Sequence, residues 1–335
     1  MMYKINDLTT AGKAIIKVKF GKNTPLRVTH IITNCCNLRC KYCYAESFVK
    51  EQEMNTEEIL AMMSEFKKAG TKIWKIGGGE PLLKKDIKRI IEHGKELGFI
   101  INIDTNGTLV DKNIEILKNV DNIQISIDGP EEIHDTIRGK GVFSKCMNSI
   151  DKLHEIGKVP LINCVLSKHN LDHIEYLVQL AKEKKTFINF QPVVPVTKEA
   201  QEELSKELIE KKVFERILEL KKSNNHIASS NSSLIKFQEY YSNKIQKYQR
   251  NCLAGRIYCI ISPQGKIARC IEELGSKTID GKKEGFINSF NKLSKDYSCD
   301  CTFCCYHDLS RVYNLNPKEN LKAAYNIFTK KWVYN

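Results

Sequence analysis

Short apolar runs alternate with amphipathic stretches along the first 191 residues, starting at residue 28. The apolar runs predict six buried strands at 28–33, 72–77, 99–104, 122–127, 160–166 and 187–191. The stretches between them predict helices at 56–68, 84–97, 112–119, 144–156 and 171–184, the first of them capped at Thr56. Six successive strand and helix units imply parallel strands with right-handed crossovers, in either a barrel or an open doubly wound sheet.

The second half of the chain is organised differently. Residues 198–222 predict one long charged helix, the Ser- and Asn-rich run 223–233 predicts a loop, and 234–248 predict another helix. Cysteines return at residue 252 after a gap of nearly ninety residues. We therefore predict an N-terminal extension (1–27), a first domain (28–222), a linker with a helix (223–250) and a second domain (251–335).

Composition narrows the functional classes. The chain carries 53 basic and 40 acidic residues, for a net charge of +13, but lysine is spread evenly without an aromatic-interleaved basic stripe. A solvated basic surface is the better interpretation, and no nucleic acid is expected. The 13 cysteines, without an export signal or a membrane-length apolar run, predict a cytoplasmic protein whose thiols bind metal. Lysine and apolar residues alternate at 16–20, which favours an edge strand over membrane contact.

The first strand leads into a cysteine loop in which Cys36, Cys40 and Cys43 have CxxxCxxC spacing, with Tyr42 before the last cysteine. Three thiolates on one short loop can bind three corners of a 4Fe-4S cluster and leave the fourth iron open. A zinc site that lacks its fourth ligand, or thiols that only pack, are the alternatives. After the second strand, three glycines (77–79) precede Glu80 and allow the backbone to approach a ligand closely.

This cysteine pattern resembles that of the radical S-adenosylmethionine (radical SAM) superfamily, and the resemblance extends over most of the chain. It implies a partial (β/α)6 barrel in the α/β class, with its site at the carboxyl ends of the strands. There SAM binds the open iron, and its reductive cleavage gives a 5′-deoxyadenosyl radical that abstracts a hydrogen atom from a substrate. A flavodoxin- or ferredoxin-type electron donor is implied as a partner.

The resemblance also assigns SAM contacts by motif. Gly78, Gly79 and Glu80 match a GGEP motif that contacts the SAM amino group. Ser126, at the end of the fourth strand, and the later Arg138 match residues that hold the ribose or the carboxylate, and Tyr42 joins the SAM site. Asn106 and Asp128 are either SAM contacts or turn formers, and residues 165–170 match a region that supports the adenine.

A second cysteine pattern lies in the C-terminal region. Twelve residues separate Cys252 from Gly265 and four separate Gly265 from Cys270, around a turn at 263–265 that predicts a strand hairpin. Together with the run CDCTFCC (299–305), it resembles the family's SPASM/Twitch extension, which implies an auxiliary 4Fe-4S cluster. The ligands it implies are Cys252, Cys270, Cys301 and Cys304, while Cys299 and Cys305 compete for membership. A cluster with three protein ligands, or a structural zinc, stays open.

The other cysteines are predicted to have simpler roles. Cys35 and Cys305 sit beside ligands but point to the opposite side of the chain. Cys146 and Cys164 are expected in the core. Cys259, beside Tyr258, is either a small core residue or a hydrogen-atom donor to a substrate radical.

The predicted function is therefore that of a radical SAM enzyme with two 4Fe-4S clusters that modifies a ribosomally made peptide. About 27 residues precede the first core strand, which is short for a separate leader-binding domain. A radical SAM dehydrogenase, or an enzyme of cofactor or small-metabolite biosynthesis, is the alternative. A non-catalytic metal-binding or electron-transfer protein is a distant one, because it does not explain the glycine and Ser-Ile-Asp-Gly motifs at strand ends.

Overall fold

Six parallel strands form the centre of the molecule. The computed structural model describes residues 23–43, 52–193, 198–242 and 252–293. The strands run in chain order across one sheet: β1 (Arg27–Ile31), β2 (Ile73–Gly77), β3 (Ile100–Thr105), β4 (Asn122–Ser126), β5 (Leu161–Leu166) and β6 (Phe187–Pro192). Strand β6 does not pair with β1, so the barrel is partial and open. The prediction of a partial α/β barrel is confirmed.

Helices connect the strands on the outside of this sheet. They are α1 (Thr56–Ala69), α2 (Ile87–Glu96), α3 (Ile114–Leu117), α4 (Glu131–Arg138), α5 (Val142–Glu155) and α6 (Ile174–Glu183). The cap of α1 is Asn55 and not Thr56: the Asn55 side chain accepts from the Glu58 backbone, and the Glu58 carboxylate accepts from the Asn55 backbone. No helix in the described part of the chain is long and apolar enough to cross a membrane.

The two faces of the sheet differ in chemistry. On the helix side, large apolar side chains such as Trp74, Ile101, Ile125 and Phe190 are fully buried and form the main core. The register aligns alternate residues on the inner face, where polar side chains dominate. These inner residues are Lys75, Asn102, Asp104, Gln124, Ser126, Asn163, Asn189 and Gln191. The partial barrel therefore surrounds a polar interior.

The region after residue 252 continues the same sheet. Strand β7 (Tyr258–Ile261) pairs in parallel with β1, and β8 (Lys266–Ala268) and β9 (Ile279–Asp280) follow antiparallel. The predicted hairpin turn is confirmed, with Gly265 at φ +84°. Helices α10 (Gly281–Glu284) and α11 (Phe286–Lys292) come next, and the Glu65 carboxylate accepts hydrogen bonds from the first backbone nitrogens of α11.

Between β6 and β7 lie three helices: α7 (Lys198–Glu210), α8 (Val213–Ser223) and α9 (Asn231–Tyr241). The prediction of one helix over 198–222 is wrong, because Lys212 adopts a left-handed backbone with φ 47° that ends α7 and starts α8. The predicted loop at 223–233 ends at Ser230, whose hydroxyl caps α9. The predicted strand at 16–20 lies outside the described residues.

Replacing Lys212 by glycine is expected to raise the free energy of unfolding by roughly 0.5 to 1 kcal/mol. A side chain at positive φ is strained, and glycine relieves more strain than it adds chain entropy to the unfolded state. Chemical denaturation measures the effect. Lys206→Gly, in the exposed middle of α7, is the control and should instead lower the free energy by about 1 kcal/mol. If both variants changed the free energy of unfolding in the same direction, the claim that the Lys212 backbone is strained would be contradicted.

Candidate active site

The cysteine loop is joined to the glycine turn at the carboxyl edge of the sheet. The backbone nitrogen of Ile32 donates to the Gly77 carbonyl (2.9 Å), that of Gly79 donates to the Thr33 carbonyl (2.8 Å), and that of Glu80 donates to the Cys35 carbonyl (2.8 Å). Because β1 and β2 are parallel neighbours, their ends meet at one edge. The loop that carries the three thiols is therefore positioned by main-chain bonds to the turn.

Two glycines allow this contact. A Cβ atom on Gly79 would lie 2.2 Å from the Cys35 carbonyl oxygen, and one on Gly78 would lie 2.5 Å from the Thr33 carbonyl oxygen. Gly78 also has φ +137°, which other residues rarely adopt. The glycines thus serve the packing of the protein's own loop, a requirement that the motif alone did not reveal. Their predicted contact with the SAM amino group stays a prediction.

Glu80 connects the glycine turn to the end of β3. Its fully buried carboxylate accepts from the Thr105 hydroxyl (2.8 Å), the Asn106 backbone (2.7 Å) and the Leu82 backbone (3.1 Å). Burial raises the pKa of this carboxyl, while the three donors lower it. Donors of the protein itself occupy most of the acceptor positions of Glu80, so Glu80 orders the site. Its direct contact with SAM stays a prediction.

Hydrogen-bond donors surround two of the three thiols. The Cys36 sulfur is 3.4 Å from the Leu38 backbone nitrogen and 3.8 Å from Asn106 Nδ2, and the Cys40 sulfur is 3.9 Å from Arg138 Nη1. Burial raises the pKa of the Cys36 thiol, and raises that of Cys40 to about 11. Metal binding must therefore displace these protons, and the donors would stabilise the thiolates that result.

By the chemistry of their side chains, the three thiols of the loop suit an iron-sulfur cluster. Among the described residues, no three His, Cys, Asp or Glu side chains are placed to hold one metal ion. Around one zinc, sulfur ligands at about 2.3 Å would have to lie close to each other. A 4Fe-4S cluster attaches each thiolate to a different iron, so it accepts sulfur atoms that are further apart. Cys36, Cys40 and Cys43 with their donors fit such a group.

Asp128 is the centre of a buried network beside the cysteine loop. Its Oδ2 accepts from Arg138 Nε (2.6 Å) and from the Tyr42 hydroxyl (2.6 Å), and its Oδ1 accepts from the Val165 backbone (3.1 Å). Arg138 Nη2 also donates to the Tyr42 hydroxyl (2.5 Å). Asp128 therefore ties the end of β4 to α4, to β5 and to the cysteine loop, which goes beyond the predicted turn-forming role.

Arg138 and Ser126, the two predicted contacts of the SAM ribose or carboxylate, have different surroundings. Arg138 is 7% exposed and pairs with Asp128, so its predicted contact with SAM would have to be shared with this pair. Burial raises the pKa of the Tyr42 hydroxyl well above its usual value. Ser126 ends β4 on the inner face, where it pairs in register with Asn163. The SAM contacts of all three residues stay predictions.

Asn106 anchors the end of β3 to the cysteine loop. Its Nδ2 donates to Asn37 Oδ1 (2.9 Å), and its Oδ1 accepts from the Thr108 backbone (3.0 Å), so it both forms the turn and contacts the loop. Sequence reasoning placed Cys146 in the core but missed its contact here, where the thiol donates to the Asn106 carbonyl (3.2 Å). It also missed His134, whose Nδ1 accepts from the Asp128 backbone (3.1 Å).

Comparison with known proteins places this arrangement in a family. The sequence pattern of the Radical SAM superfamily matches residues 30–181, which span β1 to α6 and include every part of the site described above. The chain carries a radical SAM domain. A domain of this superfamily supports an enzyme and implies SAM and one 4Fe-4S cluster as cofactors.

Individual relatives differ in what they do. The chain is 26% identical over 311 residues to an AdoMet-dependent heme synthase of Oleidesulfovibrio alaskensis, covering 83% of this chain and 79% of the relative. It is 32% identical over 169 residues to the sporulation killing factor maturation protein SkfB of Bacillus subtilis, covering 49% of this chain and 41% of the relative.

Among solved structures, the radical SAM chain is similar to Streptococcus suis SuiB. For SuiB bound to S-adenosylmethionine the TM-score is 0.65 at 20% identity, with 87% of this chain and 72% of SuiB covered. For SuiB bound to its precursor peptide SuiA the TM-score is 0.63 at 19% identity, with 82% and 66% covered. At this identity the likeness shows a shared fold.

The predicted auxiliary ligands of this radical SAM chain are described only in part. The Cys252 sulfur lies 3.0 Å from the Tyr258 hydroxyl, and Cys270 is buried just after β8. Cys301 and Cys304, like Cys299 and Cys305, lie outside the described residues. Membership of Cys252 and Cys270 in a cluster stays a prediction.

Cys259 lies on the helix side of the sheet. It pairs in register with Val28, is fully buried among apolar side chains, and burial raises the pKa of its thiol. This position is on the face opposite the polar interior. It fits the interpretation of Cys259 as a small core residue and gives no support to a role as hydrogen-atom donor.

Proposed function

We propose that this radical SAM enzyme modifies a ribosomally made peptide and that it holds two 4Fe-4S clusters. The observation that carries the proposal is the cysteine loop: its backbone is hydrogen-bonded to a glycine turn at the carboxyl edge of a partial barrel, and it presents Cys36, Cys40 and Cys43 there, beside an exposed Cys35 whose carbonyl bonds to Glu80. That edge is where parallel barrels place their sites.

In this proposal each group of residues has one task. Cys36, Cys40 and Cys43 bind the first cluster, Gly78 and Gly79 offer backbone to the SAM amino group, and Ser126 and Arg138 hold the rest of SAM. When bound, the cluster and SAM together supply a 5′-deoxyadenosyl radical that abstracts a hydrogen atom from the substrate. The polar inner face positions that substrate and limits its movement.

The inner face supports a peptide as substrate. Its carboxamides, which include Asn163 and Asn189 (joined by a 2.9 Å hydrogen bond), suit the amide groups of a peptide backbone. Its cation Lys75 is already 2.7 Å from Asp104. The relatives SkfB, a maturation protein, and SuiB, solved with a precursor peptide, agree with this choice.

A second candidate is the synthesis of a cofactor. It is favoured by the heme synthase, whose similarity covers 83% of this chain. Against it, a porphyrin with its carboxylates needs several free cations. Among the described residues of β2 to β6 the inner face offers Lys75 alone, and Asp104 pairs with it. We therefore place cofactor synthesis second.

The auxiliary cluster is assigned to Cys252, Cys270, Cys301 and Cys304. Its support is the β7–β8 hairpin, which lies between Cys252 and Cys270 in the chain and adds directly to the barrel sheet beside β1. A low-potential one-electron donor of the flavodoxin or ferredoxin type would reduce the first cluster. Such chemistry suits the reducing cytoplasm.

Anaerobic reconstitution tests the two-cluster proposal. With iron, sulfide, dithionite and SAM, we expect about eight iron atoms per chain and release of 5′-deoxyadenosine. Cys252→Ala and Cys270→Ala should each lower the count to about four and keep the low-temperature spectrum of a SAM-bound cluster. Zinc in place of iron, or a count of four in the parent protein, would contradict the second cluster.

The substrate class is tested separately. Candidate precursor peptides carrying deuterium are incubated with the reduced enzyme and SAM, and the nucleoside product is analysed by mass spectrometry. Transfer of deuterium into 5′-deoxyadenosine supports the peptide. Consumption of an iron porphyrin precursor without any transfer from peptides would favour cofactor synthesis instead.

A further inference from the structure

The outer edge of the cysteine loop is a basic surface. Arg39 and Lys41 are exposed and lie on either side of the half-buried Cys40 in the chain. The Arg39 guanidinium is held over the loop, because its Nη1 donates to the carbonyls of Cys36 (2.9 Å) and Leu38 (2.9 Å). Both cations therefore stand beside two of the predicted cluster ligands, on the exposed side of the loop.

A third cation lies next to this edge. The Lys41 backbone donates to the Ile137 carbonyl (3.0 Å), which joins the loop to the last turn of α4. Directly after that turn comes the exposed Lys140, between two glycines with positive φ, Gly139 and Gly141. We call Arg39, Lys41 and Lys140 the basic rim.

Two acidic residues on neighbouring described elements, Asp135 and Glu203, already have partners. The Asp135 carboxylate, below Lys140, accepts from the backbones of Gly141 (2.5 Å) and Phe143 (2.9 Å). Glu203 pairs with Lys168 at 3.2 Å. In the described part of the chain, neither Lys41 nor Lys140 forms an ion pair with a carboxylate. The charges of Lys41 and Lys140 are therefore available to a partner.

We propose that the basic rim docks an acidic one-electron donor protein of the flavodoxin or ferredoxin type. The inference rests on the proposed function, since it assumes a cluster on Cys36, Cys40 and Cys43. One electron leaves the reduced donor and enters that cluster, so the donor is oxidised and the cluster reduced by one electron. Electron transfer weakens steeply with distance, and the rim adjoins two of the predicted cluster ligands, Cys36 and Cys40. Opposite charges steer such encounters and make them sensitive to salt.

The double variant Lys41→Glu/Lys140→Glu tests the rim. We expect it to raise the KM for reduced flavodoxin about tenfold or more in SAM cleavage and to flatten the dependence on ionic strength. With dithionite, which needs no docking, the rate should stay within about twofold of the parent. Lys68→Glu/Lys182→Glu is the control, because both lysines are exposed in the last turns of helices, at the opposite edge of the sheet.

Binding of oxidised flavodoxin and of oxidised ferredoxin, measured by calorimetry, gives a readout without catalysis. The rim variant should bind at least one of them about tenfold more weakly, and the control should bind as the parent does. If the parent releases no 5′-deoxyadenosine even with dithionite, the proposed function fails. The calorimetric affinities still test the rim proposal in that case. An unchanged KM and affinity in the rim variant would overturn the rim proposal. So would a rim variant that loses affinity only for an acidic peptide.

Discussion

Replacement of any one of Cys36, Cys40 and Cys43 by alanine is expected to abolish release of 5′-deoxyadenosine. Each thiolate would hold a separate iron, and no other cysteine of the loop replaces it, since Cys35 is exposed and its carbonyl is bonded to Glu80. The fold should survive, because the three side chains are only half-buried. The measurement is nucleoside release under dithionite, beside iron content and thermal unfolding.

Cys35→Ala is the matched control for these variants. It removes a thiol from the same loop without removing a predicted ligand, and its side chain is exposed. We expect nucleoside release and iron content close to those of the parent. Full activity in the Cys36, Cys40 or Cys43 variant, or a complete loss in Cys35→Ala, would mean that the ligand assignment is wrong.

The order of the strands could be predicted because each strand is a short apolar run. In β3, for example, Ile101 and Ile103 are fully buried. Helix α4 could not be predicted, because its eight residues are mostly polar and only Ile133 and Ile137 mark its apolar side. The break at Lys212 also gave no signal, since lysine is an ordinary helix former and its left-handed backbone depends on how α7 and α8 pack.

The candidate site, like the fold, could be predicted from the sequence only in part. The meeting of the cysteine loop and the glycine turn could be predicted, because the ends of neighbouring parallel strands lie at one edge. The partners of buried charges could not be predicted: Glu80 bonds to Thr105 and Asn106, and Arg138 bonds to Asp128. A motif shows that a charged residue is present, but the partner of its charge depends on distances that only the fold supplies. The role of a residue that acts through others, such as Asp128, is therefore missed even where the residue itself is named.

Asp128 should accordingly be among the most sensitive residues outside the cysteines. Asp128→Ala is expected to lower the free energy of unfolding by about 3 to 5 kcal/mol, because it leaves the buried Arg138 guanidinium without its counter-charge. It also leaves the Val165 backbone nitrogen without its acceptor. Chemical denaturation of the metal-free protein under anaerobic conditions measures this effect.

A second substitution separates charge burial from other effects. Asp128→Ala/Arg138→Met removes both partners, and it should recover about half or more of the lost stability, because a buried pair replaced by apolar groups costs little. Tyr42→Phe, which removes only the hydroxyl donor to Asp128, should cost about 1 kcal/mol. In Tyr42→Phe the KM for SAM should rise more than kcat falls, if the network positions the SAM site. A loss below 1 kcal/mol in Asp128→Ala, or no recovery in the double variant, would show that the pair does not hold the loop.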